Sequence, residues 1–441
     1  MTSASVLPDW ALIDRYVFKD SFPAGDPTEA SCPNSRGDQV RVCFQLREPR
    51  RPSRLYLSWP AGNGALDRFF VVAAHRYAVL FQMINPIPVP RVDLPYDMYD
   101  YFLYTAGDDG SRGPSLHPLP SLDGTMAELR NLFEEGTFSF SNQRLRRLEA
   151  LDIGVLRRGE DYALAELQID RFAKVKVELH VLCPSRSDRW QVTNPEITIH
   201  GTELTLETLL FNWYADTVVS VGNYLCWIDY CLGGILLCNV LDGSADLRYL
   251  PFPDKIPGMD RDIHGRSWSD LYQTVGVNED HGVLKFVMVV QGDGQMIGER
   301  FMAAASGFMV SSWTLKITES NMSWLDAFAQ LPRTPLHSLP EEGREKIGHE
   351  YDETCSVAID MSNKAVVSSC QYINGKDENL SSEDHRFIKF RYGYFDPFRP
   401  SELPKCLKAN GARESSRGPE RPPQQVTKEL INYKKRKKRN K

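Results

Sequence analysis

Histidines, cysteines and aspartates are the residues of this 441-residue chain that could do chemistry. Catalysis or metal binding needs several of them at fixed spacing, and that spacing is missing. His75, His117, His180, His200, His264, His281, His337, His349 and His385 are scattered. Cys226-x4-Cys231-x6-Cys238 is not a zinc pattern. No GxSxG occurs, and no cysteine carries a recognisable nucleophile flank. Gly292-Asp-Gly294-Gln-Met-Ile-Gly298 has two early glycines, but Ile297 stands where a dinucleotide-binding loop needs its third. No metal and no cofactor is therefore expected. Asp229, Asp242, Asp270 and Asp280 would serve as acid and base if a central channel gathered them. As isolated residues they cap turns.

Two further sets have a pattern. Trp59, Trp190, Trp213, Trp227, Trp268, Trp313 and Trp324 recur at comparable places in successive units, as inter-unit core does more often than a ligand cage. Lys434, Lys435, Arg436, Lys437, Lys438 and Arg439 fit a nuclear import signal, which makes an import receptor a candidate partner. A solvated terminal run would look the same.

The elements that must position any site are strands. Residues 217–253 form the densest apolar stretch, and Gly222-Asn223, Gly233-Gly234 and Asp242-Gly243-Ser244 divide it. Such residues suit hairpin turns. The spacing predicts four strands, at 217–221, 224–230, 235–240 and 247–252. The second and third are apolar on both parities, so that sheet must be covered on both faces. Similar units recur about every 40 to 60 residues. The expected fold is all-β and β-propeller-like, with six or seven four-stranded meanders; a large β-sandwich is the alternative. Residues 1–38 read as an N-terminal strand and loop. Residues 39–400 read as one propeller-like region with an irregular insertion near 106–160, and 401–441 as a disordered basic tail.

Charge and cysteine usage narrow the function classes. Residues 434–441 hold seven cations, and taking these from the formal −6 leaves −13 on the rest. An acidic body does not suit a nucleic-acid surface, where phosphate attraction dominates. Nine cysteines without a CxxC pair, and a start lacking a basic n-region and apolar h-region, point to a reducing compartment, nucleus and/or cytoplasm. No apolar run approaches the roughly 20 residues of a membrane span.

The run Cys226-Trp-Ile-Asp-Tyr-Cys-Leu-Gly-Gly-Ile-Leu-Leu-Cys-Asn-Val-Leu241 carries a resemblance, together with Trp268-Ser-Asp-Leu-Tyr272 and Gly282-Val-Leu-Lys-Phe-Val287. Phe70-Val-Val-Ala-Ala-His75 and Arg54-Leu-Tyr-Leu-Ser-Trp-Pro60 add to it. These segments resemble the plant, grass-expanded DUF1618 family, over most of residues 8–400. The family is one of unknown function, so the resemblance implies a shared fold and no catalytic residues. The expected function is a non-catalytic protein- or peptide-binding module. The competing expectation is a propeller-type hydrolase or lyase with carboxylates in the central channel.

Overall fold

A computed structural model describes residues 9–19, 24–47, 52–59, 69–87, 96–106, 113–120, 151–170, 176–241, 246–253, 273–278, 282–291, 308–317, 322–327, 354–360, 365–372 and 399–405, with isolated residues between them. The chain is almost entirely β. The first unit contains β1 (Ala11–Lys19), β2 (Ala30–Pro33), β3 (Gln39–Gln45) and β4 (Ser53–Ser58). The second contains β5 (Phe69–His75), β6 (Ala78–Ile87), β7 (Tyr96–Thr105) and β8 (Ser115–Pro118). The third contains β9 (Ile153–Arg158), β10 (Asp161–Asp170), β11 (Lys176–Leu182) and β12 (Gln191–Thr193). After β13 (Ile197–Ile199) and helix α1 (Leu206–Asn212) comes the fourth unit: β14 (Thr217–Val221), β15 (Tyr224–Asp229), β16 (Gly234–Asn239) and β17 (Leu247–Pro251). The fifth contains β18 (Gln273–Asn278), β19 (Val283–Gln291), β20 (Phe308–Ile317) and β21 (Met322–Ala327). Then β22 (Thr354–Asp360) pairs with β23 (Ala365–Tyr372), and β24 (Arg399–Ser401) ends the series.

Units two to five are antiparallel meanders in chain order, and β13 joins the outer edge of the fourth by pairing parallel with β17. In the first unit β1 runs parallel to β4, so the order there is β2-β3-β4-β1. The described residues therefore hold five four-stranded units in series, the first two joined into one sheet where Tyr16 on β1 pairs with Phe70 on β5, followed by a two-stranded sheet. They do not divide into the two stacked sheets of a sandwich.

The leading strands of units two, three and four run the same way. The Arg157 amide donates to His75 Nδ1 at 2.8 Å and the Tyr77 hydroxyl to the Gly159 carbonyl at 3.1 Å, which aligns β5 with β9. Gly154 lies against Val218, and the Ser220 hydroxyl donates to the Val155 carbonyl at 2.5 Å, which aligns β9 with β14. A side chain at Gly154 would meet Val218 Cγ1 at 2.6 Å, so glycine lets these strands approach. Lining up leading strands turns each sheet's face toward the next sheet, as in a propeller.

Apolar clusters fill the layers between the sheets. One joins units one and two through Val42, Leu57, Phe81 and Phe102. The next holds Leu80, Leu103, Val155 and Leu164. Trp227, Leu225, Leu236 and Cys238 face the third unit, whereas Cys226, Ile228, Ile235 and Leu237 face the fifth. The fourth sheet is thus covered on both faces, as its two apolar parities require. Three tryptophans then reach back to the preceding unit. Trp190 Nε1 donates to Pro120 O at 2.8 Å, Trp227 Nε1 to Asp152 O at 2.5 Å, and Trp324 Nε1 to Pro251 O at 2.9 Å. A buried indole needs such an acceptor, and its ring contributes on the order of 150–250 Å² of burial. These rings are packing, not a ligand cage.

The first and last described strands meet. β24 pairs antiparallel with β1, with Ala11 opposite Ser401 and Ile13 opposite Arg399. Arg399 is buried, and it crosses between leading strands: Nε donates to Val72 O at 3.1 Å and Nη1 to Thr217 Oγ1 at 2.7 Å. At the β5–β6 turn, Arg76 takes φ 52°, a conformation costly for a side chain of this size. Its carbonyl accepts from the Ser401 hydroxyl and the Glu402 amide, both at 2.6 Å.

β8 and β9 lie inside the stretch 106–160 that reads as irregular in sequence. β8 is short and ends in proline, and β9 places Ile153, Val155 and Leu156 on both faces without alternation. Elsewhere in that stretch the Glu135 amide donates to the Asn131 carbonyl at 2.9 Å, the spacing of a helical turn.

Candidate interaction site

The connection between the third and fourth sheets builds the site. Thr205 caps α1, its hydroxyl accepting from the Thr208 amide at 3.2 Å. Glu207 sits in the first turn, where the helix dipole favours a carboxylate. Leu209, Leu210 and Trp213 turn inward, with the Trp213 ring edge-on to Tyr249 at 6.3 Å. Phe211 lies one turn beyond Glu207 on the outward side, since positions four apart share a helix face. It is 64% exposed, and Tyr214 just after the helix is 48% exposed. Leu206, 44% exposed, lies in the same segment, so three of the large exposed apolar side chains among the described residues fall within residues 206–214. Single exposed apolar residues are ordinary, but a cluster marks an interaction surface.

Two aspartates hold the connection down. Asp229 is fully buried; its Oδ2 accepts from the Tyr214 amide at 2.8 Å and its Oδ1 from the Leu232 amide at 2.7 Å. Asp216 Oδ2 accepts from the Tyr230 amide at 2.6 Å, while the Asp216 amide donates to Ile228 O at 2.7 Å. The backbone that presents Tyr214 is therefore fixed to β15 at both ends of the turn. Burial pushes the neighbouring Tyr230 hydroxyl up, and it accepts from the Val275 amide at 3.0 Å, tying the fifth sheet to the fourth.

Of the four aspartates singled out in the sequence, Asp229 is this backbone acceptor, and Asp242, Asp270 and Asp280 lie outside the described residues. The histidines do not converge. His75 accepts from a backbone amide, His117 Nε2 lies 3.1 Å from Ser115 Oγ, and His200 is exposed. His180 is buried between two carboxylates, with Nδ1 3.7 Å from Glu166 Oε2 and Nε2 3.3 Å from Glu178 Oε2. This row lies on β10 and β11 in a sheet–sheet layer, and Gln168 Nε2 also donates to Glu166 Oε2 at 2.9 Å. His264, His281, His337, His349 and His385 are outside the described residues. Among the described residues no group of three or more histidine, cysteine or acidic side chains has metal-binding geometry. Burial, first, and nearby carboxylates push the Cys32 and Cys238 thiols up to about 12, so both stay protonated and pack as apolar groups. The run Lys434–Arg439 is outside the described residues, as are Gly292, Gly294 and Trp268. No helix among the described residues is long and apolar enough to cross a membrane.

Sequence reasoning overlooked Phe211 and Tyr214. The available signal was Thr205 as a helix cap before Leu-Glu-Thr-Leu-Leu-Phe-Asn, with more apolar residues than one helix face can bury.

Residues 227–367 match the model of DUF1618, described as a protein of unknown function. No curated protein matches the chain. Among solved structures, the crystal structure of xylan beta-1,4-xylosidase from Bacillus Halodurans C-125 is similar at 11% identity and a TM-score of 0.28. The similarity covers 73% of this chain and 56% of that enzyme, so the present chain spans about half the enzyme's length.

Proposed function

We propose that this chain with a DUF1618 region is a non-catalytic protein- or peptide-binding module on a β-propeller-like scaffold, and that residues 203–214 are its docking surface. The observation that carries the reading is a pair of exposed aromatic rings, Phe211 and Tyr214, on a backbone clamped from beneath by Asp229. Aromatic side chains on a rigid support are what interfaces use as anchors, because little conformational freedom is lost on binding. Proximity labelling in native tissue with the wild type and with Phe211→Ser/Tyr214→Ser is the test. Partners enriched by the wild type should be depleted at least tenfold with the variant. An unchanged partner set, or turnover of a small molecule with no partner recovered, rejects the reading.

The competing function, a hydrolase or lyase, draws its support from the buried Glu166–His180–Glu178 row, which has the residue types of acid–base chemistry. Such an enzyme would keep its activity in the Phe211→Ser/Tyr214→Ser variant and lose it in Glu166→Gln.

We further propose that Lys434, Lys435, Arg436, Lys437, Lys438 and Arg439 bind an import receptor and send the protein to the nucleus. A fluorescent fusion lacking residues 434–441 should leave the nucleus; an unaltered distribution rejects this.

A further inference from the structure

We infer that the acidic–aromatic surface at residues 203–214 holds the chain's own basic tail, residues 426–441, and so withholds the import run from its receptor. The inference rests on the docking surface proposed above and names its occupant. Residues 191–216 contain Glu196, Glu203, Glu207 and Asp216 and no lysine or arginine. Glu203 and Glu207 are exposed and precede the two exposed rings in the same segment. Arg189 precedes β12, and Arg248 on β17 pairs with Thr198 of β13.

The tail is complementary in composition and in order. It reads Val-Thr-Lys-Glu-Leu-Ile-Asn-Tyr from 426 to 433, then seven cations among the last eight residues. Apolar groups at Leu430, Ile431 and Tyr433 directly precede the charge, so ring contacts and carboxylate contacts can form together. An unmatched apolar patch beside like charges would instead repel any acidic partner, which disfavours most of an acidic body's own surface as occupant.

Reach permits it. The described chain leaves the fold at Lys405, beside the Arg76 turn, at the end of the leading strands opposite to the one α1 feeds. The 21 positions from 405 to 426 extend up to about 70 Å. A globule of about 400 residues has a radius of gyration of about 21 Å, so the far side lies within range. Tethering makes weak contacts sufficient. At an effective concentration of about 1 mM, an intrinsic Kd of about 0.1 mM keeps the tail bound roughly ten parts in eleven. Ionic contacts of this kind fade as the Debye length shortens from about 10 Å at 0.1 M salt to about 3 Å at 1 M.

Trypsin cutting of the tail in the full chain, followed by mass spectrometry, reads the open fraction directly. The wild type at 50 mM salt should be cut about tenfold more slowly than Glu203→Lys/Glu207→Lys, and the two rates should converge at 1 M. Equal rates at low salt overturn the inference. A labelled peptide of residues 426–441, titrated into both full-length proteins, separates the two ways of failing. Saturable binding lost in the variant, with equal cutting rates, leaves the docking surface standing and removes the tail as its occupant. Equal peptide binding by wild type and variant, with equal cutting rates, removes both.

Discussion

Arg399→Met is expected to lower the unfolding free energy by about 3–5 kcal/mol and to open the seam between β1 and β24. Methionine keeps the length and apolar stem of arginine. What disappears is the guanidinium that donates to Val72 O on β5 and to Thr217 Oγ1 on β14. Hydrogen bonds from a charged donor contribute about 1.5–3 kcal/mol each, and the abandoned acceptors stay buried. The position also explains the size of the effect. One side chain on the last strand contacts the leading strands of two units that are not consecutive in sequence, so its loss loosens both. Urea unfolding of wild type and variant measures the difference, and limited proteolysis near residues 399–405 reports the seam. Arg399→Lys should fall between them, since an ammonium cannot present two donors along a planar fork. A variant within about 0.5 kcal/mol of wild type, the range of ordinary surface substitutions, would mean that β24 is held by its strand pairing alone.

Asp100→Asn is expected to abolish most of the pH dependence of stability between pH 4 and pH 7.5. Asp100 lies on β7 in the layer between the first two units, and burial raises its carboxyl to about 6. The Ser35 hydroxyl, at 3.0 Å, and the Ser35 amide, at 3.3 Å, donate to Oδ2 and limit the rise. The Asn85 side-chain amide donates to the same oxygen. The folded state therefore binds this proton more tightly than the unfolded chain, whose carboxyl has the ordinary value near 4. The corresponding stability is complete below about pH 4 and is lost as pH rises through about 6. A carboxyl raised from about 4 to about 6 corresponds to about 3 kcal/mol. Asparagine offers the same acceptor to Ser35 and Asn85 without a charge to bury. The quantity to compare is the change in unfolding free energy from pH 4 to pH 7.5, in each protein separately. It should be about 2–3 kcal/mol more adverse for the wild type, whatever the variant's absolute stability. Parallel pH profiles would show that Asp100 is solvated well enough to ionise normally.

Local pattern carried much of the fold. The strands expected at 217–221, 224–230, 235–240 and 247–252 match β14 to β17 to within a residue or so, because glycine turns and two-sided apolar runs both act locally. Residues 322–327 form strand β21, since pairing with β20 decides what a short run cannot. β9 was illegible for a different reason. Its strand character depends on β5 and β14 lying on either side, and Gly154 looks like a breaker until Val218 is seen against it. The candidate site was harder still. Asp229 stood out as a carboxylate, yet its role is to fix the Tyr214 backbone, a contact set by tertiary placement. Phe211 shows in the sequence only as an apolar residue too many for one face of α1, because exposure is a property of what fails to pack against a residue.

The pairing of β1 with β24 also sets a timetable. β1 leaves the ribosome before its partner β24, which emerges about 390 residues later. At 5–20 residues per second that interval is about 20–80 s. Throughout it, an edge bearing Ala11 and Ile13 has no permanent neighbour on that side, and an open apolar edge invites pairing with other chains. The nascent protein is thus exposed to aggregation along β1 until β24 has emerged, and nascent-chain chaperones would meet it there.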